Sequence, residues 1–261
     1  MPEPRSPFVR PDWIPALPQG SRVLVAGASG GLGSAVIAML RAGSDGIVGA
    51  HGNGGPLPAA ADGRLIPLAC ALDGEADCQR LVANFTEQAG GIDALVMLAG
   101  GLTHVAHWDE MDEAAWRRDI ELNLNIPFFI ARAALRAMRA QGTGGRVVLT
   151  GTESALHGGS AQSFPYAVAK RGTECLVQGL AREGAPHGVL VNGVRLGFVA
   201  SGFHERWAGR NAAHMTARAE MVPLKRGGHP DEAAALIIYL LSGWASFITG
   251  QMIPLTGGDW L

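Results

Sequence analysis

A tyrosine and a lysine lie four positions apart in the segment FPYAVAK, Phe164 to Lys170. Pro165 is typical of the first turn of a helix, where its missing N–H costs nothing, so a helix would bring Tyr166 and Lys170 to one face. A nearby ammonium favours the ionised phenol, so the phenol pKa, ordinarily about 10, would fall toward neutrality. Tyr166 would then be a usable general acid or base. Alone, the pair also fits a surface tyrosine beside a lysine.

A glycine-rich loop, AGASGGLG, follows the first apolar run of the chain. Its spacing G-x-x-x-G-x-G suits a tight turn that brings the backbone close to a pyrophosphate. The N–H groups at the start of the next helix would face the phosphates. The loop therefore predicts a dinucleotide site. Its residues are Gly27, Ser29, Gly30, Gly31, Leu32 and Gly33.

The elements that must position these groups alternate along the chain. Short apolar runs predict strands at 22–27, 46–51, 64–69, 93–100, 145–151 and 188–197. Segments in which apolar residues recur every three or four positions predict helices at 34–43, 75–90, 112–142 and 166–184. Apolar strands are expected where both sheet faces are covered, and this alternation is typical of a doubly wound, parallel α/β sheet of the Rossmann-like kind. We expect a proline-rich arm at 1–20, either disordered or lying on the surface, and one domain at 21–261.

Composition excludes several classes of function. The chain of 261 residues has a formal net charge of −2 and no run of basic residues, which disfavours nucleic acid and anionic membranes as partners. Three cysteines without C-x-x-C spacing argue against a disulfide framework and against structural zinc. The eight histidines are scattered, so no metal site is predicted. We expect a small-molecule partner and a cytoplasmic location.

Six ordered motifs together resemble the short-chain dehydrogenase/reductase family, in its single-domain, 3-oxoacyl reductase-like form. They are the glycine loop, the LAG of MLAG, IELNLN, YAVAK, VRLGFVAS and ITGQ followed by GG. The resemblance runs from about Arg22 to the C-terminus. It implies an NAD(P)-dependent enzyme that transfers hydride between the nicotinamide and a carbonyl or secondary alcohol. It also implies a homodimer or homotetramer.

The same resemblance implies residue roles. Tyr166 would be the acid/base, Lys170 would lower its pKa and hold the nicotinamide ribose, and Asn123 would position a proton-relaying water. Further expected cofactor contacts are Leu72, Ala99, Gly100, Val199 and Ser201.

A hydroxyl that holds the substrate oxygen is the least regular feature. In the family it usually stands thirteen positions before the tyrosine, where this chain has Glu153. Alignment of the preceding strand selects Thr152 instead, with Ser154 as the alternative, and either hydroxyl can donate to a developing oxyanion. Glu153 would repel an oxyanion and is expected to face solvent.

Other departures bear on the cofactor. Ala26, Ala71, Met97 and Leu98 replace polar residues that often brace the sheet or hold the adenine. At the end of the second strand His51 stands where a carboxylate would bind the ribose of NAD, and no arginine obviously captures a 2′-phosphate. NADP(H) is therefore favoured and NAD(H) stays possible, and replacing His51 by Asp should shift the preference toward NAD(H).

Residues 201–224 fall where the family carries a mobile substrate lid. Phe203, Trp207 and Met215 would cover a moderately apolar substrate or pack the lid on the body, and the lid has no clustered basic patch. Two alternatives stay open. The chain would be a non-catalytic cofactor-binding protein of the same fold, or a dehydratase or epimerase that uses the same tyrosine.

Overall fold

The computed structural model describes residues 8–57, 62–206 and 210–259. In these ranges the strands are β1 (Arg22–Ala26), β2 (Ile47–Gly52), β3 (Leu65–Ala69), β4 (Ala94–Met97), β5 (Gly145–Thr152), β6 (Val189–Leu196) and β7 (Met252–Leu255). The α-helices are α1 (Gly31–Gly43), α2 (Glu75–Ala89), α3 (Glu113–Ile120), α4 (Ile126–Gln141), α5 (Phe164–Gly184), α6 (Ala212–Met221) and α7 (Pro230–Leu241). The six predicted strands are confirmed. The short β7 and the helices α6 and α7 were not among the predicted elements.

The strands form one sheet in the order β3-β2-β1-β4-β5-β6-β7, and every pair is parallel. Strand order reverses between β1 and β4, so the connections leave β1 and β4 in opposite directions. In such sheets the crevice beyond the carboxyl ends of the strands binds ligands. The predicted doubly wound fold is confirmed, and it brings the ends of β1, β4, β5 and β6 to one edge.

Helices cover both sheet faces, which explains the continuous apolar strands. Leu24 of β1 packs in the core between the sheet and α2, α4 and α5. Its neighbours Val23 and Val25 point to the opposite face and pack with α1 and α7. A single strand thus contributes to two cores.

The described part of the N-terminal arm, residues 8–20, forms no helix or strand. Leu17 is buried and Ile14 packs beside it against the core of α1 and α7. The ring of Phe8 stacks on His229 at 5.0 Å between centroids. These residues therefore lie along the surface of the sheet domain. Across the described ranges, none of the helices combines the length and hydropathy that crossing a bilayer requires.

Candidate active site

The glycine loop closes one end of a groove of about 250 Å³ at the β1/β4 crevice. We call it the glycine-loop groove. Its lining comprises Gly27, Ser29, Gly30, Gly31, Leu32, Gly33, His51, Gly52, Asn53, Leu98, Ala99, Gly100, Leu122, Ser201, Phe203 and Arg206. All six loop residues predicted for dinucleotide binding lie in this lining, with four other predicted contacts.

The loop glycines are required by close backbone approach. Gly27 has φ +93°, and a Cβ there would lie 2.6 Å from the backbone nitrogen of Ala99. A Cβ at Gly31 would collide with the Ser201 carbonyl, and one at Gly33 with the Gly27 carbonyl. The start of α1 is therefore pressed against both β1 and the lid, as a dinucleotide site needs. The residues present fit a dinucleotide.

Four residues predicted to contact the cofactor lie outside this lining: Leu72, Tyr166, Lys170 and Val199. Val199 lines a neighbouring cavity that contains Tyr166. Leu72 packs against the core of α2, α4 and α5. Its contact with a cofactor stays a prediction.

His51 is in the groove lining but its ring is turned into the protein. Its side chain is buried, and Nε2 lies 3.1 Å from the Cys70 carbonyl oxygen. Burial lowers the pKa of His51, so the ring is neutral. The exposed Asn53, two residues later, lies at the rim instead.

Arg206 is a groove residue that the sequence analysis missed. Its Nη2 lies 3.8 Å from where a Cβ of Gly30 would be, so a lid arginine reaches the glycine loop. The groove therefore has an arginine in its lining, although the sequence showed none that obviously captures a 2′-phosphate. The sequence signal was weak because Arg206 is far along the chain from the loop.

Tyr166 and Lys170 meet on the first turns of α5, which begins at Phe164 and has Pro165 in its first turn. Both side chains are buried. The Lys170 Nζ atom lies 5.8 Å from the centroid of the Tyr166 ring and donates to the Thr150 carbonyl at 3.0 Å. The Y-x-x-x-K spacing therefore forms a buried pair, not a surface one.

The pKa of the tyrosine moves in the direction opposite to the one expected from its spacing to lysine. Burial raises the pKa of Tyr166 above its ordinary value, against a hydrogen bond with Thr152 that lowers it, and the charge of Asp119 raises it further. Burial also lowers the pKa of Lys170 to about 8. Desolvation of the charged forms explains both directions. The phenol is neutral, which is the form that can donate a proton.

Asn123 lies in a π-helical turn, Glu121–Asn125, inserted between α3 and α4. The single helix predicted across 112–142 is thus interrupted, as π-turns often are at functional sites. The buried side chain accepts from the Gly101 N–H at 3.0 Å and donates to the carbonyls of Gly101 and Asp119 at 2.8 and 2.9 Å. A Cβ at Gly100 would lie 2.9 Å from Asn123 Oδ1 and 3.3 Å from Lys170 Nζ. Asn123, Gly100 and Lys170 are therefore neighbours.

Asp119 lies in the charge-rich segment WRRDIE, Trp116 to Glu121, yet it is fully buried. Its Oδ1 accepts from the backbone and the hydroxyl of Thr103 at 2.9 and 2.7 Å. It ties the loop after β4 to the helix that carries Asn123.

The two candidate substrate hydroxyls are adjacent. Thr152 Oγ1 and Ser154 Oγ are 3.2 Å apart, and both line a cavity of about 120 Å³ with Tyr166 and Lys170. We call this the tyrosine cavity. Thr152 also forms a side-chain hydrogen bond with Tyr166, which favours Thr152 as the substrate-binding hydroxyl and leaves Ser154 as the alternative.

The expectation that Glu153 faces solvent is wrong. Its side chain is only 7% exposed and accepts from Arg195 Nε at 2.9 Å. Arg195 also donates to Glu174 of α5 at 3.2 Å. Because β6 lies beside β5, Arg195 of β6 reaches Glu153 and links it to α5.

A second cavity, of about 320 Å³, adjoins the first and shares Thr152, Ser154 and Gly197 with it. We call it the lid cavity because α6 forms part of its wall. Met215 lines it, and the ring of Phe203 lies 6.0 Å from that of Tyr166. Trp207, the third predicted lid contact, lies outside the described residues. Among the described residues, histidine, cysteine and carboxylate side chains form no group of three or more suited to a metal.

Comparison with known proteins shows the family of the chain. The sequence model of a family described as enoyl-(acyl carrier protein) reductase matches residues 48–259. An L-rhamnose 1-dehydrogenase (NAD(P)(+)) of a Sphingomonas strain is 32% identical over 249 residues, which cover 92% of this chain and 96% of that protein. The chain belongs to the short-chain dehydrogenase/reductase family.

Other members extend the similarity. A 3-oxoacyl-[acyl-carrier-protein] reductase of Vibrio cholerae is 30% identical over 248 residues, covering 93% of this chain and 98% of that protein. The crystal structure of a short-chain type dehydrogenase/reductase from Mycobacterium marinum superposes with a TM-score of 0.79 at 28% identity, covering 93% and 96% of the two chains. Short-chain dehydrogenases/reductases are NAD(P)(H)-dependent oxidoreductases, and this chain is an enzyme of that kind.

Proposed function

We propose that this short-chain dehydrogenase/reductase transfers hydride between a nicotinamide and the carbonyl or secondary alcohol carbon of a small molecule, with Tyr166 as the acid/base. The observation that carries the proposal is the buried contact of Tyr166 with Thr152 at the end of the glycine-loop groove, beside Lys170. A bound NAD(P)H supplies the hydride.

The roles of the protein groups follow from their protonation and contacts. In reduction the neutral Tyr166 phenol donates its proton to the substrate oxygen, while Thr152, or in its place Ser154, donates a hydrogen bond to the same oxygen. Burial lowers the pKa of Lys170 to about 8, close to neutral pH, so the lysine can return a proton toward the phenol. Asn123 holds the Gly101 backbone beside Lys170 and is the proposed end of the proton relay.

NADP(H) is the favoured cofactor, and NAD(H) is the alternative. Among the described residues that line the glycine-loop groove, Arg206 carries the only formal charge, so no carboxylate there repels a 2′-phosphate. The neutral Asn53 at the rim is compatible with either ribose. We also propose a homodimer or homotetramer, from the family resemblance, and a cytoplasmic location, from the cysteine pattern.

Fluorescence titration with NADPH and NADH, followed by a screen of ketones, tests the proposal. The chain has two tyrosines, so Tyr239→Phe in α7 is a matched control for Tyr166→Phe. We expect Tyr166→Phe to lower kcat by about 10²-fold or more with nearly unchanged NADPH affinity, since positioned proton transfer contributes about 10²–10⁴-fold. Tyr239→Phe should retain both properties.

Two outcomes would replace the proposal. Substantial turnover by Tyr166→Phe would refute the tyrosine mechanism, both for hydride transfer and for a dehydratase or epimerase that uses the same tyrosine. NADPH binding without hydride transfer to any ketone would favour the non-catalytic cofactor-binding alternative.

A further inference from the structure

The lid cavity extends the space in which a substrate can lie. It opens beside Thr152 and Ser154, the hydroxyls next to Tyr166, and continues away from the tyrosine toward α6. Its volume of about 320 Å³ is at the lower end of the range for small-molecule sites. A substrate whose carbonyl is at Tyr166 therefore has room for a second group in the lid cavity.

Basic side chains form one wall of this cavity. Arg210 precedes α6, and His214 and Arg218 lie on it. The two arginines are eight residues apart in the sequence, so no local basic patch marks them. Folding of the lid brings both to the same small volume.

The carboxylates of the cavity are already neutralised. Glu153 is paired with Arg195, and Asp259 is paired with Arg218. Both carboxylates are ion-paired, and Glu174, the second partner of Arg195, also pairs with Arg171, so the two repel an entering anion less than free carboxylates would. Arg210 lines the same wall.

Arg218 has a donor that its ion pair does not use. Nη2 donates to Asp259, and the guanidinium lies over the ring of Phe198 at 5.5 Å, which fixes its position. Its Nη1 is buried and has no hydrogen-bond partner within the described part of the chain. Buried polar groups are normally satisfied, so this donor calls for an acceptor.

We propose that the substrate of this site carries a carboxylate on the part that enters the lid cavity, bound by Arg218 and Arg210. The inference rests on the proposed function, because it assigns a substrate class to the same site. A carboxylate offers two acceptor oxygens to the unused N–H of Arg218, whereas an amide or ester offers one weaker acceptor. The enzyme is then a reductase of oxo acids or a dehydrogenase of hydroxy acids.

Binding of ketone ligands to the enzyme–NADP⁺ complex tests the proposal without turnover, because the oxidised cofactor has no hydride to give a ketone. Two ligand pairs are compared by calorimetry: 4-oxocyclohexanecarboxylate with its carboxamide, and 5-oxohexanoate with its amide. We expect the acid to bind about tenfold or more tightly than the amide in at least one pair, as a charge-assisted hydrogen bond implies.

Variants assign the preference to the lid cavity. Arg210→Gln and Arg218→Gln should each reduce the acid preference, because each weakens binding of the acid more than binding of the amide. Arg139→Gln, on an exposed position of α4, is the matched control and should keep the preference. Because Arg218→Gln leaves Asp259 unpaired, the double variant Arg218→Gln with Asp259→Asn keeps that position neutral if the single variant does not fold.

Equal affinities for acid and amide in both pairs would overturn the proposal. So would an acid preference that survives in both Arg210→Gln and the Arg218 variants. Turnover with NADPH separates this result from the proposed function. Reduction of ketones without an acid preference refutes the carboxylate site alone, whereas an arginine-dependent acid preference without hydride transfer refutes the proposed reaction and retains the site.

Discussion

Replacement of Glu153 by Gln is the most direct test of how the active-site strand is held. The Glu153 side chain is 7% exposed, and those of Arg195 and Glu174 are each 17% exposed. Arg195 therefore joins the end of β5 to α5 through two carboxylates, at 2.9 and 3.2 Å. The substitution removes one charge from this network and keeps the size of the side chain.

The expected magnitude follows from what remains. Breaking a buried ion pair outright costs about 3–5 kcal/mol. Here Arg195 retains Glu174, and the Gln carbonyl can still accept from Arg195 Nε, so we expect a loss of about 1–2 kcal/mol in the free energy of unfolding. For a chain of this length, that corresponds to a melting temperature lower by about 3–6 °C.

Thermal melting followed by circular dichroism measures the effect. Glu87→Gln, at an exposed position of α2, is the matched control and should stay within about 0.5 kcal/mol of wild type. A double-mutant cycle of Glu153→Gln with Arg195→Met should give a coupling of about 1 kcal/mol. Melting unchanged in Glu153→Gln, as in the control, would mean that Glu153 faces solvent and that the ion-pair argument is wrong.

Three further outcomes are expected. Because burial lowers the pKa of Lys170 from 10.5 to about 8, the unfolded chain holds a proton that the folded chain releases between these values, and stability relative to Lys170→Met should rise with pH there. The gain, measured by urea unfolding at pH 7.5 and pH 10, should be about 2–3 kcal/mol, and an unchanged difference would place the lysine in solvent. Gly31→Ala should weaken NADPH binding about tenfold, because its Cβ meets the Ser201 carbonyl, whereas Gly179→Ala, with open space around it, should bind normally. Asn53→Asp should shift preference from NADPH toward NADH about five- to tenfold, because the new carboxylate repels a 2′-phosphate. His51→Asp, in contrast, would bury a carboxylate and is expected to destabilise the fold. An unchanged cofactor ratio in Asn53→Asp would place the ribose elsewhere.

The sequence alone was sufficient wherever the physical requirement is local. The glycine spacing after β1 reflects a turn with no room for a Cβ, and this requirement can be recognised within eight residues. The tyrosine and lysine of α5 are neighbours because helical periodicity brings positions four apart together. The apolar strands follow from burial of both sheet faces. Strand β7 escaped prediction because four residues carry too little pattern.

Only the tertiary structure decided properties that depend on contacts between distant segments. The direction of the Tyr166 pKa depends on how fully the phenol is desolvated, which spacing to a lysine cannot reveal. The environment of Glu153 depends on Arg195, a residue of the neighbouring strand 42 positions away. Arg218 pairs with Asp259 at 41 positions and reaches the lid cavity only when α6 folds over the ends of β5 and β6. Burial and charge pairing are properties of the packed chain, so the sequence determined the chemical groups and the fold that unites them, and packing determined their electrostatic state.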